Sequence, residues 1–109
     1  MSPLDYHVLL ALAAGPLYGY AIKDSIATES AGALTPRAGS LYRVIARLIT
    51  DGFVREAAPS SGREPHPGHE RRYYALTADG RRALLAETLR LERAAALAKK
   101  RLGALPGRS

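Results

Sequence analysis

The sequence predicts a mainly α-helical fold that contains one small β hairpin and ends in a long helix. Apolar residues recur at helical spacing in three short segments before residue 51. Two segments of strand character then flank a loop rich in proline, glycine and serine. The stretch 78–102 is rich in alanine, leucine and arginine and contains no proline. Three short helices, a hairpin and a final helix are the elements of a winged helix-turn-helix domain with a long C-terminal helix.

Length and charge narrow the classes of protein to consider. The chain has 109 residues, enough for one domain with a single modest core, and a formal net charge of +6. That charge favours an anionic partner, either nucleic acid or an acidic membrane surface. No apolar run approaches the roughly 18–20 residues that span a bilayer, the amino terminus lacks signal-peptide features, and there is no cysteine. We therefore expect a cytoplasmic location, no membrane span, no metal and no cofactor.

The first two predicted helices are short. Apolar residues over 4–14 predict the first, which has Asp5 in its first turn, near the positive end of the helix dipole. Gly15 and Pro16 end it, because proline cannot continue a helix. The second helix is predicted from about 18 or 19 to 28 or 30. A loop over 30–35, which contains a glycine, then leads into the third helix.

The third helix, predicted over 35–51, is the strongest amphipathic element of the chain. Thr35 is a good N-cap, Pro36 suits the first helical position, and Gly52 can adopt the left-handed conformation that ends a helix. One face is an apolar stripe that consists of Leu41, Val44, Ile45, Leu48 and Ile49. The opposite face carries Ser40, Arg43, Ala46, Arg47 and Thr50.

Arginine and serine on that opposite face are side chains that reach base edges and phosphates in the DNA major groove. The alternative is an ordinary solvated face, since two arginines occur on many surface helices. The elements that follow favour the DNA interpretation.

Two strands are predicted after the third helix, at 53–57 and 71–76, joined by a loop over 58–70. This hairpin is the expected wing. Arg63, Arg71 and Arg72 make it positive, and a wing commonly lies along the sugar-phosphate backbone. Tyr73 and Tyr74 should point to opposite faces, with one of them on the core. His66 and His69 in the loop are not expected to bind metal, because two histidines in so proline-rich a loop are poorly preorganised.

The final helix is predicted from Ala78 to about Leu102, with Thr77 as its cap. It is too long for a domain of this size to bury its whole apolar stripe, so the surplus should contact a second copy of the chain. We therefore divide the chain into a winged-helix domain (1–77), a dimerisation helix (78–103) and a flexible tail (104–109). A helix packed within a monomer is the alternative. The candidate dimer residues are Leu84, Leu85, Leu89, Leu91 and Leu97.

Three motifs carry a resemblance to a known family. They are LLALAAGPLYGYAIK at 9–23, GSLYRVIARLITDGFV at 39–54 and RRYYALTADGR at 71–81. In this order they resemble the PadR family of bacterial winged-helix transcriptional regulators, over about residues 9–91. The wing loop is longer and richer in proline than the family pattern. The single final helix resembles that of the shorter subfamily, in which this helix pairs across the dimer.

The resemblance implies a dimeric, DNA-binding repressor with its third helix in the major groove. It also implies DNA contacts from Ser40 and Tyr42, while Leu41 belongs to the core. Two such helices related by a two-fold axis would reach successive grooves about 34–36 Å apart, so the operator should be a pseudo-palindrome of double-stranded DNA. Some members sense small planar compounds at the dimer interface. The final helix has no aromatic residue, but an aliphatic groove there could still take a small apolar effector, which the sequence does not place. The candidate DNA contacts are Arg37, Ser40, Tyr42, Arg43, Arg47, Arg63, Arg71 and Arg72.

Other functions are less well supported by the residues. An enzyme would need a nucleophile with a base, paired carboxylates or a phosphate-binding loop, and the acids are instead scattered, mostly at helix ends. A membrane-surface module is an alternative because the final helix ends in Lys99, Lys100 and Arg101, but this helix lacks the Trp or Phe of interfacial helices. A winged helix that binds only proteins is the other alternative.

Overall fold

Four helices and three short strands make up the described part of the chain, which is residues 1–58 and 72–103 of a computed structural model. This architecture confirms the predicted fold class. In chain order the elements are α1 (Pro3–Leu12), β1 (Leu17–Tyr18), α2 (Gly19–Glu29), α3 (Ala38–Thr50), β2 (Val54–Ala57), β3 (Tyr73–Leu76) and α4 (Ala78–Leu102).

The small sheet has one strand more than the predicted wing. Its order is β1-β3-β2, and both pairings are antiparallel. The two-residue strand β1 pairs Leu17 with Tyr74 and Tyr18 with Tyr73. So short a strand has no alternation to detect, and only its pairing with β3 defines it. Both tyrosines of β3 are consequently buried: Tyr74 lies in the hydrophobic core, and the Tyr73 ring meets the Tyr18 ring edge-on, with centroids 5.6 Å apart.

The core is formed where α1 packs against the other three helices and the sheet. Its fully buried side chains come mainly from α1, α2 and α3: Val8, Leu9, Leu12, Ile22, Ile26, Leu41, Ile45 and Leu48. The start of α1 is held by a capping box, in which the Ser2 hydroxyl accepts from the Asp5 N–H at 3.1 Å and the Asp5 carboxylate accepts from the Ser2 N–H at 3.3 Å. Asp5 is thereby fixed on α1, and it is buried.

The start of α3 differs from the prediction. The helix begins at Ala38 with Arg37 as its N-cap residue, so Thr35 is not the cap and Pro36 is not the first helical residue. The preceding loop explains the shift, because Leu34 packs on the core while its N–H donates to the Ser30 hydroxyl at 2.9 Å. Residues 35–37 then connect this anchored position to the helix and lie outside any helix or strand.

The predicted cap of α4 is confirmed, and it docks the helix on the turn after α3. The Thr77 hydroxyl accepts from the Gly80 N–H at 2.9 Å and donates to the Gly52 carbonyl at 2.5 Å, and the Thr77 N–H donates to the Phe53 carbonyl at 3.1 Å. From residue 89 to 103 every residue is exposed, so the second half of α4 projects from the domain. The molecule accordingly measures 59 × 26 × 24 Å. None of the described helices is both long and apolar enough to cross a membrane.

Candidate nucleic-acid interface

The outward face of α3 follows from which of its residues are buried. Leu41, Ile45 and Leu48 are almost completely buried. At 3.6 residues per turn, the line diametrically opposite contains four exposed residues: Gly39, Arg43, Ala46 and Thr50. The remaining polar residues lie at the two edges of this face. Ser40 and Arg47 lie at the edge beside α1, and Tyr42 lies at the edge beside the sheet.

Arg43 is the cation that projects most directly outward. Its Nη2 donates to the Ser40 hydroxyl at 3.4 Å, and within the described residues it has no carboxylate partner. Arg37, the residue that precedes α3, is exposed and likewise has no carboxylate partner in that part of the chain. These two guanidinium groups keep their charge available to an anion at the N-terminal half of α3.

Arg47 differs from Arg43, because it is paired within the protein. Its Nη2 lies 2.5 Å from Asp5 Oδ1 on α1, and its Nη1 lies 3.9 Å from Asp51 Oδ2. Burial alone would raise the pKa of Asp5, but the hydrogen bonds from Arg47 and Ser2 outweigh it and lower that pKa. The hydrogen bond to Asp5 raises the pKa of Arg47. Local sequence patterns carry no signal for a pair separated by 42 residues, so Asp5 could not be recognised from the sequence as the partner of Arg47.

Tyr42 is placed by a glycine on another helix. Its side chain is about half exposed, at 47%, and its ring lies across Gly19, the first residue of α2. A Cβ atom on Gly19 would overlap Tyr42 Oη and would lie 2.7 Å from Cζ and 2.9 Å from Cε1. The absence of a side chain at Gly19 therefore makes room for the Tyr42 ring. Leu41 is buried in the core, as the sequence predicts.

A groove of about 240 Å³ separates α3 from the wing. Tyr42, Ala46 and Ile49 line it from α3, and Glu56, Arg72 and Tyr74 line it from the sheet. Arg72 Nη1 lies 3.3 Å from Glu56 Oε2, and both side chains are largely exposed. Burial, with smaller contributions from Tyr42 and Glu56, raises the pKa of Tyr74. The other predicted wing residues, Arg63, Arg71, His66 and His69, lie outside the described residues.

The leucines predicted for dimerisation do not share one face of α4. Leu84 is half-buried against the core of its own domain, so only part of its side chain is left for a partner. Leu91 lies almost directly above it, since seven residues advance a helix by nearly two turns. Leu85 and Leu89 lie on an adjacent face and are 59% and 55% exposed. Leu97 is also exposed, about a third of a turn away from Leu85.

A second groove, of about 360 Å³, lies where the start of α1 meets the middle of α4. Its lining is mixed in polarity and includes Tyr6, His7, Glu87, Arg90 and Leu91. The Tyr6 and Thr88 hydroxyls are hydrogen-bonded at 2.7 Å and tie the two helices together. Among the described residues, no group of three or more histidine, aspartate or glutamate side chains could hold a metal ion.

The arrangement of α2, α3 and the three-stranded sheet defines a winged helix-turn-helix protein. The profile of the "Transcriptional regulator PadR-like family" matches residues 8–86, and the chain belongs to that family. An uncharacterized 37.1 kDa protein in transposon TN4556 of Streptomyces fradiae is 40% identical over 77 residues, which is 71% of this chain. The chain spans only 19% of the length of that relative.

Two solved structures show the same fold. A PadR family transcription regulator from Clostridium difficile R20291 superposes with a TM-score of 0.76 at 19% identity, over 93% of this chain and 99% of that one. Bacillus subtilis PadR, solved in complex with operator DNA, superposes with a TM-score of 0.65 at 24% identity, over 80% of this chain and 47% of that one. At these identities the likeness concerns the fold.

Proposed function

We propose that this protein is a sequence-specific DNA-binding repressor that binds a pseudo-palindromic operator as a homodimer. The observation that carries the proposal is the outward face of α3, where Arg43 projects without a carboxylate partner among the described residues and Tyr42 lies at the edge beside the sheet. Membership of the PadR-like regulator family supports it, as does the fold shared with a protein solved on its operator.

In this proposal the residues of the surface make different kinds of contact with DNA. Arg43 reads base edges in the major groove, where a guanidinium can bond two acceptors of a guanine. Tyr42 contacts the groove wall from the edge of the helix beside the sheet. Arg37 and Ser40 contact phosphates near the start of α3, and Arg72 contacts the backbone from the wing, together with Arg63 and Arg71. Because Arg47 is already paired with Asp5, we do not count its charge among these contacts.

Dimerisation through α4 would place two α3 helices on successive major grooves. The supporting observation is the exposure of Leu85 and Leu89 on a helix that is exposed at every residue from 89 to 103. An exposed apolar surface of this kind is typical of an interface. Occupation of a promoter by such a dimer would exclude other proteins from it and thereby repress transcription. A small apolar effector at the dimer interface stays a prediction.

The test begins with selection of genomic fragments that the purified protein binds, followed by fluorescence anisotropy on the selected duplex at fixed salt. Arg43→Ala should weaken operator binding by roughly 5- to 150-fold, which is the cost expected for one base-reading arginine, and should relax preference at one position. Arg101→Ala, which removes the same charge near the far end of α4, is the matched control. Equal losses for the two variants would argue against base reading by α3.

The oligomeric state is tested separately by analytical ultracentrifugation. The native chain should sediment as a dimer at micromolar concentration, and a variant with both Leu85→Glu and Leu89→Glu should sediment as a folded monomer that binds the operator weakly. A native protein that sediments as a monomer would overturn the dimeric part of the proposal.

A further inference from the structure

The edge of α3 beside α1 carries a charge cluster with more acid than base. Asp5, Arg47 and Asp51 form this cluster, which we name the Asp5 cluster. The Arg47 guanidinium lies between the two carboxylates, with Nη2 2.5 Å from Asp5 Oδ1 and Nη1 3.9 Å from Asp51 Oδ2. One cation therefore faces two anions, and the net charge of the cluster is negative. This sign is the opposite of what a phosphate-binding surface needs.

Asp5 cannot easily release Arg47. Its carboxylate is fixed by the capping box with Ser2 at the start of α1, and the residue is only 7% exposed. If Arg47 turned toward a DNA phosphate, it would leave behind a buried carboxylate without its cation. The arginine of this pair is half exposed and the aspartate is buried, so breaking the pair is unfavourable because the carboxylate keeps part of its desolvation cost. Arg47 would therefore gain little binding free energy by leaving Asp5 for a DNA phosphate.

The opposite edge of α3 has a different character. There Tyr42 and Ala46 border the groove that leads to the wing, and the cation Arg72 lies across it. The Arg72–Glu56 pair is exposed on both sides, so either side chain can separate from the other at little cost. Arg47, at one edge of α3, is thus held more firmly by its carboxylate than Arg72, which lies across the groove from the other edge.

We propose that Asp5 is a positioning residue, which holds Arg47 away from DNA and makes the Asp5 cluster the boundary of the DNA-binding surface. The duplex is then confined to the start of α3, its outward face and the wing side, and the negative boundary sets how the domain is oriented on the duplex. This inference rests on the proposed function. In the native protein Arg47 therefore contacts no DNA phosphate, although it is an exposed arginine of α3.

The test measures how the affinity for a labelled duplex of mixed sequence depends on KCl concentration. Each phosphate that a protein neutralises contributes about 0.9 to the slope of log K against log [salt]. Asp5→Asn should release Arg47 and make the slope steeper by about 0.9 for each bound protomer. Arg47→Gln alone should leave the native slope unchanged. The double variant, with Asp5→Asn and Arg47→Gln, should return to the native slope.

Asp24→Asn is the matched control, because it removes the same charge from an exposed position on α2. It should raise affinity slightly without the steeper slope that Asp5→Asn produces. Circular dichroism at the temperature of the titration checks that each variant is folded. If Asp5→Asn does not fold, the Arg47→Gln measurement decides alone.

Two results would overturn the inference. One is a slope for Arg47→Gln that is shallower than the native slope by about 0.9, since Arg47 would then already contact a phosphate. The other is a native slope for folded Asp5→Asn. Both differ from failure of the proposed function, which would appear as no measurable binding of the native protein to any duplex.

Discussion

Substitution of Gly19 by alanine should displace the Tyr42 ring, although the two residues lie on different helices. The added Cβ would overlap Tyr42 Oη and approach Cζ to 2.7 Å. Nonbonded carbons are most stable about 3.5–4.0 Å apart, so the ring has to move outward by roughly 1 Å or more. It can do so because Tyr42 is about half exposed.

The expected magnitude combines two opposing contributions. Overpacking of this kind costs about 1–3 kcal/mol, and the relative freedom of the ring favours the lower part of that range. Alanine in place of glycine in a helix returns about 0.5–1 kcal/mol. We therefore expect Gly19→Ala to destabilise the native protein by about 1 kcal/mol, or roughly 4–8 °C in Tm for a domain of this size.

A double-mutant cycle provides the assay. The free energy of unfolding in urea is measured for the native chain, Gly19→Ala, Tyr42→Ala and the double variant. Once the tyrosine ring is gone, Gly19→Ala should no longer destabilise the protein and should stabilise it by up to about 0.5–1 kcal/mol, the limit for a helix interior. Operator affinity should depend on the position of the Tyr42 ring, so Gly19→Ala should weaken binding only when Tyr42 is present. An equal loss of stability in both backgrounds would refute the steric argument.

Three further predictions concern the packing of the domain. Gly80→Ala should lower Tm, because the added Cβ would overlap the backbone carbonyl of Phe53. The control is Gly39→Ala, whose Cβ meets nothing closer than 3.8 Å and which should be neutral or stabilising by up to about 1 kcal/mol. Equal Tm values for the two variants would contradict this prediction. Asp5→Asn should lose stability at neutral pH. Because the pKa of Asp5 is lowered in the folded protein, the stability that its carboxylate contributes is complete above the ordinary carboxyl pKa and is lost as pH falls through the folded-state pKa. Urea titrations should therefore show that the difference in unfolding free energy between the native chain and the variant disappears in acid. Tyr6→Phe should cost about 0.5–1.5 kcal/mol in the same assay, because it removes the 2.7 Å hydrogen bond between α1 and α4; no change would mean that this bond contributes nothing.

The family assignment and the local elements follow closely from local sequence signals. The apolar stripe of α3 predicts that Leu41, Ile45 and Leu48 are buried, and the structure agrees. Thr77 is recognisable as a cap from its position before the last helix, and its hydroxyl accepts from the Gly80 N–H. Such features depend on interactions within one or two helical turns, which is the range that periodicity and capping preferences report.

Tertiary packing decided the features that distinguish one arginine or leucine from another. In the sequence Arg43 and Arg47 have equivalent positions on the polar face of α3, yet Arg47 meets a carboxylate that is 42 residues away in the chain. Leu84 and Leu85 are likewise neighbours on the last helix, although the first packs on the core and the second is exposed.

The sequence by itself therefore determined the helices, the Thr77 cap of α4, the wing strands β2 and β3 and the regulator family of this protein. Only the folded chain decided that β1 joins the sheet, that α3 begins at Ala38, that Gly19 makes room for Tyr42 and that Asp5 holds Arg47. The physical reason is the range of the forces involved. Helix formation and capping act between neighbours in the chain, whereas strand pairing, steric fit and ion pairing act between residues that only the fold brings together.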